Sequence, residues 1–219
     1  MYCTLIMSIP SCLEYIDAII YINLDHRTDR NEHVLEEIKK IDPSLSKTHR
    51  LSAECVPENG ALGCSLSHIR ALTMCLEHPE WKHCLILEDD FTFTAPSFES
   101  NYQIVELILS CESFDMLLLA YGHDDFIKHS TQSPHIHRVH SSQTTSGYIV
   151  HRNYIPTLLK NYQESSHILK EKGRCHEGCL DQYWKQLMPL GKWFAYYKRI
   201  GYQYANFSDI ENVFHNYEC

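Results

Sequence analysis

Three acids in succession, Glu88, Asp89 and Asp90, close the apolar run in HCLILEDDF, residues 83–91. Adjacent carboxylates repel one another, so their placement calls for a metal ion, backbone amides or water to offset the cost. An apolar run leading straight into acids reads as a buried strand whose end holds a hard divalent cation through oxygen, with water and phosphate completing the shell. On that reading Asp90 is the favoured direct ligand, Asp89 reaches the metal or a ribose hydroxyl, and Glu88 orients its neighbours. The plainer alternative is a charged loop start.

Other stretches could serve a ligand carrying phosphate. In YINLDHRTDR, residues 21–30, Arg27 and Arg30 offer forked donors to phosphate or base, and Asn23 could read a base edge or ribose. The same residues also fit a solvated turn with Asp29 initiating a helix. In ENGALGCSLSHIRAL, residues 58–72, Gly60 and Gly63 permit close backbone approach. A helix starting near Ser65 would present free amides to a ligand oxygen, with Ser67 or His68 beside it. These glycines match neither a Walker nor a dinucleotide pattern, and a capped helix with a satisfied, partly buried His68 fits equally well. In RCHEGCLDQYWKQL, residues 174–187, Asp181 falls in a first helical turn. The dipole there favours the ionised form, which would suit a general base or simply steady the helix. Asp124 and Asp125 in YGHDDF stand after another strand, as an acceptor-site lining or a polar loop.

The elements that must position these groups alternate. AIIYIN, residues 18–23, is a near-continuous apolar run of the kind buried on both faces of a parallel sheet. Residues 30–41 place Val34, Leu35, Ile38 and Ile41 at helical spacing, with Pro43 as the stop. Helices are predicted over 65–77, 100–111, 154–163 and 179–188, and strands over 83–87, 115–120, 137–140 and 146–151. Strand alternating with helix predicts an α/β fold with a mainly parallel sheet, whose ligands gather at the carboxyl ends of the strands. The three acids occupy such an end.

The 219 residues suit one domain, 1–219, with a core over about 18–210. A net charge of −9 and the lack of a dense basic tract argue against a nucleic-acid partner. An acidic protein binding a phosphorylated ligand needs a few placed arginines and a bridging cation. No apolar stretch is long enough to span a bilayer, and the start lacks the pattern of a signal peptide, so the expected compartment is the cytoplasm. Ten scattered cysteines without a paired CxxC framework read as reduced thiols and argue against a structural zinc site.

Together the blocks INLDHRTDR, GALGCSLSH, LILEDDF, SGYIV and FSDI resemble glycosyltransferase family 25, which includes bacterial lipooligosaccharide and collagen hydroxylysine galactosyltransferases. The resemblance rests on their order and spacing as well as their content. It implies a GT-A type nucleotide-diphospho-sugar transferase fold, a UDP-sugar donor (often UDP-galactose), Mn2+ or Mg2+, and inversion at the anomeric carbon. It places Asn23, Arg27 and Arg30 by the nucleotide and Asp89 and Asp90 by the metal; Leu24, Gly63, Ser67, His68, Glu88 and Asp89 complete the candidate donor-binding set. His215 is a further ligand by analogy with late histidines in other GT-A enzymes. The usual DxD arrangement appears here as Glu88-Asp89-Asp90, which leaves open which two carboxylates meet the metal.

The expected reaction is attack by an acceptor hydroxyl of a glycan or a collagen-like hydroxylysine, with Asp181, then Asp124 or Asp125, as the base. Two rival readings stand beside it. A haloacid-dehalogenase-like phosphohydrolase is mimicked by EDDFT, but Glu88 occupies the place of its aspartate nucleophile. A sugar- or partner-binding protein could also keep the fold without turnover.

Overall fold

The computed structural model describes residues 9–122, 133–208 and 213–215. Its strands are β1 (Ala18–Asn23), β2 (Thr48–Ser52), β3 (His83–Glu88), β4 (Phe91–Phe93), β5 (Met116–Leu118), β6 (Ile136–Arg138), β7 (Gly147–His151), β8 (Trp193–Tyr196), β9 (Gly201–Gln203), β10 (Asn206–Ser208) and β11 (Val213–His215). The helices are α1 (Thr28–Ile38), α2 (Gly60–Glu77), α3 (Ser97–Leu109), α4 (Ile155–Lys172) and the single turn α5 (Leu180–Tyr183), which runs on as a 3-10 turn over Trp184–Leu187.

Seven strands form one sheet in the order β2-β1-β3-β7-β5-β8-β6. Within it β2, β1 and β3 are mutually parallel, as are β5 and β8, while β7 and β6 run antiparallel to their neighbours. This is the mixed α/β architecture that the strand–helix alternation predicts.

Alternation within the strands builds both faces. Ile19, Tyr21, Leu85, Leu87 and Ile149 pack with Val34 and Ile38 of α1 and Ile104 and Leu107 of α3. Ala18, Ile20, Cys84, Ile86 and Val150 pack instead with Leu72 and Cys75 of α2 and Leu158 and Tyr162 of α4. Every residue of β1 is buried, as expected for a strand covered on both sides.

Several boundaries differ from the sequence reading. Helix α2 begins at Gly60 rather than near Ser65, because the Asn59 side chain accepts from the Leu62 amide and caps it earlier. Helix α4 continues to Lys172 and stops at Gly173, whose φ of +74° costs a glycine nothing. Helix α1 ends at Ile38, ahead of Pro43. Strands β2, β4 and β8 to β11 have no counterpart in the sequence reading.

The direction of β7 matters for the site. Because it runs against β3 and β5, its start, not its finish, lies at the edge where the parallel strands end. Residues 144–146 therefore join the loops after β1 and β3. Phe91, next to the acids, packs against Gly147 and Gly201, where an added Cβ would collide with its ring. That close approach seats the β4–β9 ribbon against the main sheet and brings Gln203 over the acids.

Candidate functional site

Asn23 is the last residue of β1 and Glu88 the last of β3, so two adjacent parallel strands deliver their polar ends to one place. Asp89 and Asp90 follow at once and are only 5% and 4% exposed. Asp89 has both oxygens engaged: Oδ2 accepts from Asn23 Nδ2 at 2.8 Å and Oδ1 from Arg30 Nη1 at 2.9 Å. The same Arg30 nitrogen lies 3.4 Å from Asp90 Oδ2, and the guanidinium also donates to Asn206. Asn23 is fixed from its other side by Arg50, which donates to its Oδ1 at 2.9 Å.

Glu88 turns its two oxygens in different directions. Oε1 lies 3.1 Å from His68 Nε2 and accepts from Thr145 Oγ1 at 2.6 Å. Oε2 accepts from Gln203 Nε2 at 3.4 Å, and that amide also donates to Asp90 Oδ1 at 3.3 Å.

Three carboxylates crowd one guanidinium, and their protonation reflects it. Burial, reinforced by the Glu88 charge, pushes Asp90 up to about 7 in spite of Arg30. Burial likewise raises Asp89, against the pull of Arg30 and Asn23. Burial works the same way on Glu88, but the His68 and Thr145 hydrogen bonds outweigh it and bring its pKa below the usual value. The donor set thus fits a hard cation: buried carboxylate oxygens in excess of positive charge, with burial raising both aspartates.

Two chambers open beside these groups. The first, about 430 Å³, is lined by Leu24, His26, Arg30, Glu54, Ser67 and the three acids, among others. The second, about 540 Å³, is lined by residues 143–145, Arg174, His176 and Asp181. Cys64, Glu88 and Gln203 belong to both.

Asp181 Oδ2 accepts from the Thr144 amide at 3.1 Å. Asp181 falls in the first turn of the four-residue α5, as the sequence predicts, and burial raises its pKa, with Glu88 adding. Thr144 itself sits at φ +76°, a conformation a β-branched residue adopts only under constraint. Its hydroxyl donates to Gln203 Oε1 at 2.9 Å, so one strained residue ties Asp181 to the amide that touches Glu88 and Asp90.

The remaining sequence candidates fall as follows. Arg27 pairs with Asp29 at 2.9 Å, and its carbonyl accepts from Asn23. Gly63 lies within α2, where a Cβ would run into the Glu54 carbonyl, so its close approach is to the chain itself. Ser67 donates to the Gly63 carbonyl, accepts from the Glu54 amide and also lines the first chamber. His68 sits in the interior of α2 rather than at its start, at 1% exposure. Asp124 and Asp125 lie outside the described residues. His215 ends β11, paired with Asn206, but its side chain is likewise outside what is described. Sequence reasoning missed Arg50, Thr144, Thr145 and Gln203, which carry no pattern of their own.

Among known proteins, no family model and no curated sequence matches the chain. Solved structures do. A glycosyltransferase involved in the glycosylation of the major capsid of PBCV-1 matches with a TM-score of 0.55 and 8% identity, over 89% of this chain and 95% of its own. The likeness is one of fold. Weaker likenesses are to the protein A197 from STIV, at TM-score 0.49, 14% identity and coverage of 92% and 95%, and to mannose-1-phosphate geranyltransferase from Thermus thermophilus, at 0.43, 10% identity and coverage of 82% and 72%. Among the described residues no helix is long and apolar enough to cross a membrane.

Proposed function

We propose that this chain is a glycosyltransferase of the family 25 kind. It moves a hexose, galactose in the first instance, from a UDP-sugar to a hydroxyl of a glycan or collagen-like hydroxylysine, with inversion. The observation that carries this reading is the meeting of two chambers at Glu88, one lined by the acids and Arg30, the other by Asp181. The first takes the nucleotide and diphosphate and the second takes the acceptor. The sugar lies across their junction.

A diphosphate entering a cleft that already holds Glu54, Glu88, Asp89 and Asp90 needs added positive charge. A divalent cation, Mn2+ or Mg2+, held by Asp90 with Asp89 beside it, would supply charge neutralisation for the leaving group. Asp89 is held in place by Asn23 and Arg30, so it also fixes the orientation of its neighbour. Asp181 accepts the acceptor's proton as the new oxygen–carbon bond forms. The anomeric carbon–oxygen bond to phosphate breaks on the opposite face, and UDP departs with its electron pair. A base whose pKa burial has raised is better matched to neutral pH than an ordinary aspartate.

The test is UDP release from a panel of UDP-sugars, with manganese or with chelator, for the intact chain and Asp90→Asn. Manganese-dependent release from one sugar, lost in the variant, is expected. Release of inorganic phosphate instead would indicate a phosphohydrolase. Neither product, together with no manganese-dependent rise in melting temperature on adding UDP, would overturn the reading.

A further inference from the structure

The junction of the two chambers carries a second donor set, of different chemistry from the acids. Cys64 and His68 stand four residues apart on α2, hence on one face of the helix. Glu88 reaches them from the end of β3. The Cys64 Sγ, a His68 ring nitrogen and a Glu88 oxygen all lie within 4.8 Å of one another. A sulfur, an imidazole and a carboxylate are the mixture borderline-soft cations select, whereas manganese and magnesium favour oxygen.

We infer that Cys64, His68 and Glu88 form a site for a zinc-class divalent cation, separate from the oxygen-rich site at Asp90. The distances are close to what such an ion requires. A tetrahedral ion bound at ordinary lengths sets nitrogen and oxygen ligands about 3.4 Å apart and sulfur about 3.6 Å from nitrogen. His68 Nε2 and Glu88 Oε1 already stand 3.1 Å apart. Cys64, at most 4.8 Å from its partners, has to close to about 3.6 Å, a movement on the order of 1 Å that a χ1 rotation supplies at the cost of some departure from its rotamer.

The surroundings are those of a ligating histidine. Its other nitrogen, Nδ1, lies 3.0 Å from the buried Tyr148 hydroxyl, a partner that fixes the ring's orientation. With an ion on Nε2, Nδ1 carries the proton and donates it to Tyr148, the arrangement that raises ligand basicity. Glu88 is equipped to serve both sites, since Oε1 faces α2 while Oε2 faces Gln203 and Asp90. Cys64 and Glu88 line both chambers, so a fourth position on the ion opens to solvent and ligand. Three protein ligands and one open position describe a reactive or inhibitable site, not a closed structural one.

The inference is independent of the sugar-transfer reading, and its test uses cobalt alone. The full, reduced chain is stripped with chelator, and Co2+ is titrated while the thiolate-to-cobalt charge-transfer band and the visible d–d bands are followed. A charge-transfer band that zinc abolishes and magnesium does not is expected. Cys64→Ser removes it, whereas Cys175→Ser and Cys179→Ser, whose thiols line the second chamber, leave it in place, as does Asp90→Asn. Tyr148→Phe weakens cobalt binding about 10- to 100-fold. The assignment is overturned if the intact chain gives no band, if the band survives Cys64→Ser, or if it depends on Cys175 or Cys179. Should Cys64→Ser fail to fold, the Tyr148→Phe titration decides, and unchanged affinity there overturns it too.

Discussion

Asp90→Asn removes one carboxyl whose pKa stands at about 7 instead of 3.8, chiefly because it is buried. With the folded value above the unfolded one, the fold keeps a proton that the unfolded chain has already released. Its contribution to stability is therefore full below the unfolded value and is lost as pH rises through the folded one. The slope cannot exceed about 1.4 kcal/mol per pH unit, so a rise of about three units caps the effect on the order of 4 kcal/mol. Asp89 and Asp181 are raised as well and act in the same direction, whereas burial lowers His49 and His151 and gives them the opposite sign. The quantity to read is thus the difference between intact chain and variant, from urea unfolding in chelator between about pH 5 and pH 8. That difference should move against the intact chain by on the order of 1 kcal/mol per unit up to about pH 7 and then level off. Saturating manganese should reverse the trend, because the cation competes with the proton for the same oxygens. A flat or rising difference in chelator would refute the claim that excess negative charge is trapped at the end of β3.

Other substitutions probe the neighbouring links. Arg30→Gln leaves Asp89 and Asp90 without their shared cation and should cost about 3–5 kcal/mol in urea unfolding, partly recovered by manganese. Asp181→Asn should lower transfer by about 100- to 10,000-fold and remove the acidic limb of the rate profile, while UDP and manganese still raise the melting temperature. Gly147→Ala and Gly201→Ala both push a methyl into the Phe91 ring and should each destabilise by about 1–3 kcal/mol on thermal or urea unfolding.

What can be read from sequence follows from where the information lies. The runs AIIYIN and HCLIL announce buried strands because both faces of each are covered, and the acids are conspicuous for following one of them. Asp181 stands out only as a helix-start residue, and its contact with Thr144 depends on a loop 37 positions away in the chain. Gln203 and Thr144 act through a register and a left-handed turn that no residue type advertises. The start of α2 is hard to place because Gly60 and Gly63 look like loop, yet Asn59 caps the helix and Gly63 is needed for contact with residue 54. Strand β8 does carry a signal, the short apolar run WFAY, too brief to weigh against its polar flanks. The reversal of β7 has none, and because of it the polar residues that reach the site precede the apolar run instead of following it.

The two chambers draw their walls from separate stretches of chain. The first uses residues 22–30 and 53–68, and the second chiefly 143–145 and 174–182, with Cys64, Glu88 and Gln203 in common. A lineage could therefore vary residues 174 and 176 around Asp181 and change what enters the second chamber without touching the first. Such changes meet least resistance at those exposed positions, because Gly178 and Leu180 of the same segment are buried against α4 and the core. The three shared residues have no such freedom, since a change at any of them alters both compartments at once.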